Sequence, residues 1–455
     1  MKFAVILFLA ILLRLVNLNQ SFWLDEAAQV IESARQLSQQ LNIVSDFHPP
    51  LYHLILHFWL ILGKSEVWAR LPSVFFGVGS VFLIYRLGKV LFTSNAGLLS
   101  ALFLAVSPYH VWYSQEARPY MLFVFVSLLS TYFLVKSNWK LYKVAIILSL
   151  YSLYFAPFLI LGHFVYVYLT QKNQLKNFIK SVIISSLFFL PWVPSFLEQL
   201  KVGSGGFFTG WQNVVSVSPV KLLPLTFAKF IYGRGTIENN IIYSAILLPE
   251  LLVFLISLYK IFRFKNKPEI LTFFFMPLIS AFLISFIIPV TAPQRLIFLL
   301  PFYCLILGIG ITKLSGVKRI LCIVIIVVIS ILGIYDYYTN PYVQREQWRD
   351  AIDFTENDGG TLALFVFPDS FAPYLWYQKN KIEGIGIAPK FRIEREDLER
   401  LEQKITSNQK VYLFQYLTGL TDPDRQTWEF LEQKGYSETS IRDFPGVGFI
   451  YVFEK

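Results

Sequence analysis

Repeated apolar runs, many of them close to the thickness of a bilayer, restrict the fold of this chain more than any other sequence feature. A helix needs about 20 apolar residues to cross the hydrocarbon core, and examples as short as about 17 occur. Of the 455 residues, 55% are hydrophobic and 15% are charged, whereas soluble proteins carry about 25% charged residues. The sequence therefore predicts an α-helical polytopic membrane protein.

The positions of the apolar runs predict eleven transmembrane helices, with the N-terminus in the cytoplasm and the C-terminus outside. The predicted spans are about 2–18, 68–86, 95–112, 119–135, a hairpin of two short helices within 144–169, 178–194, 241–261, 270–289, 295–312 and 319–336. The hairpin, turning near Ala156-Pro157, is preferred to one straight helix because lysines flank this run on both sides and cytoplasmic loops favour Lys and Arg. It keeps both lysine clusters in the cytoplasm.

Two segments between the spans are expected to lie on the outer side. The apolar run 51–62 is too short to cross the membrane and predicts a helix in the interface. Residues 195–240 predict a long loop that carries Gly203, Gly205, Gly206 and Gly210 among aromatic residues. Such a loop is typical of a cover over a substrate site.

Composition changes near residue 340 and predicts two domains. Residues 1–340 form the predicted transmembrane catalytic domain and hold the excess of Lys and Arg behind the formal net charge of +10. That excess is explained by loop charges that set topology, so no nucleic-acid partner is expected. Residues 341–455 are acidic overall and alternate helix-like and strand-like segments, which predicts a small extracytoplasmic α/β domain.

An acidic pair, Asp25-Glu26, directly follows the first predicted span. Carboxylates at this level avoid the cost of lying in hydrocarbon and remain within reach of a lipid-linked head group. One interpretation is that they cap the amphipathic segment that begins there, since carboxylates favour helix N-termini. The other is a general base that takes the proton of an acceptor hydroxyl. The two roles are compatible.

Three further candidates have both a structural and a functional interpretation. His48, before Pro49-Pro50, either caps the interfacial helix or holds a phosphate. Glu116 and Arg118 either form an ion pair or contact a sugar or phosphate, with the aromatic run 109–113 as a stacking surface for the sugar ring. Arg295 either snorkels to the membrane surface or binds a lipid phosphate through its guanidinium.

Metal binding is not favoured by the sequence. His53 and His57 lie at i, i+4 spacing, which suits zinc, but no clear further ligand accompanies them. Cys304 and Cys322 are expected to be small core residues. We therefore expect no required metal or other cofactor.

Four motifs follow one another in an order and spacing that resemble a known superfamily. They are Trp23-Leu24-Asp25-Glu26, His48-Pro49-Pro50-Leu51, Ala69-Arg70-Leu71-Pro72-Ser73 and Tyr113-Ser114-Gln115-Glu116-Ala117-Arg118-Pro119-Tyr120. This pattern resembles the GT-C superfamily of polyprenyl-phosphate-sugar-dependent glycosyltransferases, above all bacterial relatives of protein O-mannosyltransferases and of the aminoarabinose transferase of lipid A. The resemblance covers roughly residues 1–340 and is strongest over 1–135.

The resemblance implies an inverting transfer of a sugar from a polyprenyl-phosphate donor to a lipid, glycan or protein acceptor at the outer face of the cell membrane. It implies that Asp25 is the base, supported by Glu26. His48 stands where the family often has a lysine that touches the donor phosphate. Arg295 matches an arginine that opens a late helix, here followed by Leu296 rather than the usual tyrosine.

Two other functions were weighed against a transferase. A polytopic lipid flippase or secondary transporter would be expected to place ionisable groups near mid-membrane on broken helices, whereas most of those here fall in predicted outer loops. A receptor that uses the helices only as an anchor would not need so many of them.

Overall fold

The computed structural model describes residues 2–41, 43, 46–204, 217–263, 268–287, 292–367, 371–379, 381–388, 392–406 and 408–455. The chain divides into two compact units. The first comprises Met1–Leu18, Gln36–Lys201 and Val214–Thr339, and the second is built mainly from Asn19–Arg35 and Asn340–Lys455.

The first unit is helical throughout its described residues. Its helices are α1 (Lys2–Leu15), α3 (Leu51–Leu60), α4 (Glu66–Leu91), α5 (Ser94–Val106), α6 (Pro108–Ser114), α7 (Tyr120–Val135), α8 (Trp139–Leu150), α9 (Ala156–Thr170), α10 (Leu175–Leu187), α11 (Val193–Ser204), α12 (Pro219–Tyr232), α13 (Asn240–Arg263), α14 (Thr272–Ile284), α15 (Leu300–Thr312) and α16 (Gly316–Thr339). Helix α2 (Leu24–Ser33) belongs to the second unit.

Five helices in the described residues are long and apolar enough to span a membrane, and five shorter apolar helices accompany them. The long ones are Glu66–Leu91, Lys172–Val202, Asn240–Arg263, Pro293–Thr312 and Gly316–Thr339. The shorter ones are Leu51–Leu60, Ser94–Val106, Tyr120–Val135, Ala156–Thr170 and Glu269–Ile284. The membrane class is thus supported, while the predicted number of eleven spans is not confirmed.

Particular sequence features explain where the helices depart from the predicted spans. The predicted helix over 95–112 is broken at Ser107, whose extended backbone lets its hydroxyl cap α6, with Pro108 in the first turn. The turn predicted near Ala156-Pro157 is present, because α8 ends at Leu150 and α9 begins at Ala156.

The long loop predicted over 195–240 is wrong for its described residues. Helix α11 continues through this region to Ser204, and α12 begins at Pro219. Gly203 lies within α11, while Gly205, Gly206 and Gly210 lie outside the described residues. A single glycine near a helix end is tolerated at modest cost. Glycine content was therefore not a reliable indicator of a loop in this region.

A buried arginine joins α1 to the helices that precede the turn around residue 116. Arg14 is completely buried; its Nε donates to the Ser114 hydroxyl (3.1 Å) and its Nη1 donates to the Ala10 and Ala105 carbonyls (2.8 and 3.1 Å). Its Nη2 donates to His110 Nδ1 at 2.7 Å, because a guanidinium has no acceptor. These bonds hold α6 in place and thereby fix where the following turn begins.

Close helix packing in this unit depends on small residues. A side chain at Gly88 would meet the backbone of Gly97 at 2.7 Å, so α4 and α5 approach each other with no side chain between them. Small residues at such crossings are the usual route to tight helix packing in membranes.

The second unit is a three-layer α/β fold. Its five-stranded sheet has the order β2-β1-β3-β5-β4, and the strands are β1 (Leu362–Phe365), β2 (Glu383–Gly386), β3 (Lys410–Phe414), β4 (Ser437–Phe444) and β5 (Gly448–Glu454). Strand β1 pairs in parallel with β2 and β3, while β5 runs antiparallel to β3 and β4. The helices are α17 (Trp348–Asn357), α18 (Ala372–Tyr377), α19 (Arg395–Ile405), α20 (Thr418–Thr421) and α21 (Gln426–Gln433).

Alternate residues of the central strands face two separate cores. Leu362 and Leu364 pack on one face, with residues of α19 and α21. Ala363 and Phe365 pack on the other face, with residues of α17 and α18 and with Leu24 of α2. This is the period of two expected for a strand buried on both sides.

The N-terminal segment Asn19–Arg35 is the main difference from the predicted domains. The sequence placed it in the 1–340 domain, but its contacts are made with the C-terminal residues of the second unit. Helix α2 packs against α18 there.

Candidate active site

The centre of the charged cluster in the first unit is a buried carboxylate, Asp46, in the segment before α3. Its Oδ1 lies 2.6 Å from His48 Nδ1, and its Oδ2 lies 2.5 Å from His53 Nε2. The Arg118 Nη2 atom lies 3.7 Å from Oδ1. All four side chains are nearly or wholly buried.

These contacts determine the protonation of the cluster. Burial opposes ionisation of Asp46, but His48, Arg118 and the two imidazole hydrogen bonds outweigh it and hold the pKa of this carboxyl well below its usual range. Burial lowers the pKa of His48, and the charges of Arg118 and Arg295 lower it further against the opposing effect of Asp46. Near neutral pH the cluster therefore holds an ionised Asp46 beside a neutral His48.

The geometry also selects a tautomer of His48. An ionised carboxylate can only accept, so the 2.6 Å contact requires a proton on Nδ1. The 3.4 Å approach of Arg118 Nη2 to the same nitrogen is then a contact between two donors rather than a good hydrogen bond. In the neutral imidazole, Nε2 is left as an acceptor, and the Tyr120 ring stands edge-on to His48 at 6.1 Å.

Two arginines from distant parts of the sequence act on this cluster. Arg118 lies in the turn between α6 and α7, where its backbone N–H bonds the Glu116 carbonyl at 2.8 Å. Arg295 lies in the 3₁₀ segment Pro293–Leu299 that leads into α15, close enough for its charge to lower the pKa of His48. Arg118 and Arg295 thus act on the same imidazole, and guanidinium groups are suited to binding an anion such as a phosphate.

A glutamine that the sequence did not single out holds the Asp46 segment in position. Gln199 of α11 is buried, and its Nε2 donates to the carbonyls of Ile43 (2.8 Å), Asp46 (2.6 Å) and His48 (3.3 Å). Its Oε1 accepts from the Tyr154 hydroxyl. This region was predicted as a loop, so no periodic pattern pointed to Gln199.

Asp46 itself is not among the candidate residues of the sequence analysis. Its position two residues before His48 is the one sequence signal for it, because an i, i+2 carboxylate and imidazole can meet in a turn. His53, considered with His57 for zinc, turns its Nε2 to Asp46. The expectation that no metal is required stays a prediction.

Glu116 and the aromatic run 109–113 are buried rather than exposed. Glu116 is 1% exposed, and Tyr109, Trp112 and Tyr113 are each less than 5% exposed. The Arg234 guanidinium covers the Trp112 ring at 4.2 Å from its centroid. The expected use of these rings as an open stacking surface for a sugar therefore does not match their packing.

Asp25 and Glu26 lie in the second unit, in the first turn of α2. Glu26 is fully buried, whereas Asp25 is partly exposed. Of the two carboxylates, Asp25 is thus the one that solvent and a substrate can reach. The structure brings His48, Arg118 and Arg295 together in the first unit and carries Asp25 and Glu26 in the second.

Comparisons with known proteins show what the chain is similar to in sequence and in fold. Residues 47–196, about a third of the chain, match the family model described as dolichyl-phosphate-mannose-protein mannosyltransferase. A putative mannosyltransferase of Bacillus subtilis, YycA, is 32% identical over 136 residues, which are 28% of this chain and 20% of that relative's length.

Solved structures reproduce the fold over the whole chain. ArnT from Cupriavidus metallidurans bound to undecaprenyl phosphate has a TM-score of 0.65 at 12% identity, covering 99% of this chain and 97% of that one. The oligosaccharyltransferase of Archaeoglobus fulgidus has a TM-score of 0.59 at 11% identity, covering 99% and 73% respectively.

Over residues 47–196 the chain is similar to the protein mannosyltransferase family, and its fold is similar to those of ArnT and the archaeal oligosaccharyltransferase. These similarities confirm the resemblance to GT-C glycosyltransferases inferred from the four motifs. These comparisons do not favour the flippase or transporter alternative.

Proposed function

We propose that this chain transfers a sugar from a polyprenyl-phosphate donor to an acceptor hydroxyl at the extracytoplasmic face of the plasma or inner membrane. The observation that carries the proposal is the convergence of Arg118 and Arg295 on the buried His48. The family match over residues 47–196 supports it, because that region holds both His48 and Arg118.

In this proposal the two arginines bind the donor phosphate. A guanidinium stays charged and offers paired donors to phosphate oxygens, so Arg118 and Arg295 stabilise the negative charge that grows on the leaving phosphate. His48 is less suited to charge stabilisation, because its lowered pKa favours the neutral form. Its proposed part is to orient the cluster through Asp46 and to offer a hydrogen-bonding nitrogen to the substrate.

Asp25 is the proposed general base, with the buried Glu26 in support. The acceptor oxygen forms a bond to the anomeric carbon while the bond from that carbon to the phosphate oxygen breaks. The hydroxyl proton passes to Asp25, and polyprenyl phosphate leaves with the electron pair. Attack opposite the leaving group inverts the configuration. A monophosphate leaving group beside two arginines needs no metal ion for this step.

The decisive experiment measures turnover with defined donors. The purified protein, in detergent or nanodiscs, is incubated with radiolabelled polyprenyl-phosphate sugars and candidate lipid, glycan and peptide acceptors, with and without EDTA. We expect label to move to one acceptor class, with EDTA having no effect. Absence of transfer from every donor would overturn the proposal.

Two variants separate the proposed roles. Asp25→Asn is expected to lower turnover by about 10²–10⁴-fold, the usual contribution of a general base, with folding unchanged. Arg295→Ala is expected to raise the KM for the donor by about 10–100-fold, as for loss of a charged hydrogen bond. The matched control is Arg263→Ala, which removes an exposed arginine at the end of α13 and is expected to change neither quantity.

A further inference from the structure

The helix that carries Asp25 begins without a capping side chain of its own. Trp23 occupies the N-cap position of α2 and makes no side-chain hydrogen bond to the first turn. The first N–H groups of a helix need acceptors from outside the helix, and Ser, Thr, Asp or Asn usually supply them from the N-cap position. The local sequence therefore leaves this helix start dependent on another part of the chain.

A glutamate more than 300 residues away supplies the missing acceptor. Glu346 Oε2 accepts the Leu24 backbone N–H at 3.2 Å, at the residue directly before Asp25. The same oxygen accepts the Trp348 indole N–H at 2.7 Å, and Oε1 accepts the Tyr416 hydroxyl at 2.9 Å. The carboxylate is thus fixed on both of its oxygens.

Further bonds hold the residues that precede α2. The Phe22 N–H donates to the Tyr377 hydroxyl at 2.7 Å, and the Arg345 N–H donates to Gln20 Oε1 at 2.9 Å. The Ser21 hydroxyl donates to the Glu346 carbonyl. The entry to α2 is therefore bonded along its length to C-terminal residues of the same unit.

The turn between β4 and β5 packs closely against Glu346. Gly446 has a φ of +81°, which favours glycine, and a side chain there would come within 2.9 Å of the Glu346 Cα and Cγ atoms. Glu346 thus lies between the β4–β5 turn and the start of α2, with little room to change its rotamer.

We propose that Glu346 is a positioning residue for Asp25, acting as the cap of α2. The C-terminal α/β unit then has a direct part in catalysis, because it fixes the helix start that carries the base. This inference rests on the proposed function for its catalytic consequence. The capping role itself can be measured independently of any activity.

The test compares Glu346→Ala with Glu346→Gln. Alanine removes the acceptor, so kcat is expected to fall about tenfold, the effect of losing a helix cap, with the KM for the donor unchanged. Glutamine is expected to restore kcat to within about threefold of wild type, since its oxygen can take both N–H donors and its amide can donate to Tyr416. The control is Glu438→Gln, an exposed carboxyl on β4.

Hydrogen exchange gives the readout that does not need activity. Amides of residues 20–30 should exchange faster in Glu346→Ala than in wild type, while those of Arg395–Ile405 in the same unit should not change. If Glu346→Ala does not fold, Glu346→Asp replaces it, because its shorter side chain also fails to reach Leu24.

The outcomes separate the two proposals. Unchanged exchange at residues 20–30 overturns the capping role, and faster exchange with an unchanged kcat overturns its catalytic consequence. A wild-type protein that transfers no sugar defeats the proposed function, while the exchange result still decides whether Glu346 caps α2.

Discussion

Asp46 offers the sharpest test of the cluster in the first unit, and Asp46→Asn is the least disruptive way to perturb it. Asparagine has the same shape but no charge and only one acceptor oxygen. It cannot accept from both His48 and His53 as the carboxylate does, and it removes the counter-charge 3.7 Å from Arg118.

The size of the effect follows from burial. Removing one partner of a buried charge pair costs about 3–5 kcal/mol, because the remaining charge stays in a medium of low dielectric constant. At about 2–4 °C per kcal/mol for a chain of this size or somewhat smaller, the thermal midpoint should fall by about 10 °C. Donor binding should weaken as well, since Arg118 and His48 lose their common partner.

The assay is a thermal scan of tryptophan fluorescence in one detergent at one scan rate. Glu238→Gln, an exposed acidic residue before α13, is the control and should match wild type. A midpoint for Asp46→Asn within about 2 °C of wild type would refute the reasoning, because that shift corresponds to less than about 1 kcal/mol.

The pH dependence of the same pair of proteins provides a second check. The pKa of Asp46 is lowered on folding, so its stabilising effect is present above the unfolded value of about 3.9 and is lost as pH falls towards the folded value. The difference between wild type and Asp46→Asn should therefore be constant from pH 8 to pH 5 and shrink below about pH 4.

Three further outcomes are expected. Burial is the main cause that raises the pKa of Glu346 to about 7, so protonation of this carboxyl favours the folded state. That contribution is present below the unfolded pKa of about 4.3 and is lost as pH rises through the folded pKa, amounting to about 4 kcal/mol; thermal scans of Glu346→Gln should lack this decline. Gln199→Leu should lower the thermal midpoint by several degrees because it leaves the Ile43 and His48 carbonyls without their donor, about 1–3 kcal/mol each at most, whereas Gln403→Leu, at an exposed position of α19, should not. Arg118→Lys should raise the KM for the donor about tenfold, since an ammonium cannot reproduce paired contacts; equal KM values would contradict a guanidinium–phosphate contact.

Much of the architecture could be read from local pattern. Apolar runs indicated the membrane helices, and the alternation near residues 362–367 and 411–416 indicated strands that the structure has as β1 and β3. The lysine clusters on both sides of 144–169 correctly indicated the turn before α9. These features depend on residues that are close in sequence, so a short stretch of sequence is enough to predict them.

The candidate residues were found in part. His48, Arg118 and Arg295 were picked for their residue types next to predicted spans. The structure places His48 and Arg118 beside Asp46, and Arg295 near enough for its charge to act on His48. Asp46 was not picked as a site residue, because its importance comes from three partners of which two lie outside its own turn. Gln199 was missed for the same reason.

By itself the sequence determined that this chain is a helical membrane protein with a C-terminal α/β region and a set of ionisable groups next to its predicted spans. Only the tertiary structure decided that Asn19–Arg35 folds with the C-terminal residues, that Glu346 caps the helix carrying Asp25, and that Asp46 is the common partner of two imidazoles. The spacing of apolar residues along a segment depends on which of its faces are buried and which contact water or lipid. Pairing between particular side chains leaves no such local mark, whether the partners are 7 positions apart, as Asp46 and His53 are, or 322, as Leu24 and Glu346 are. It depends on how the segments pack together.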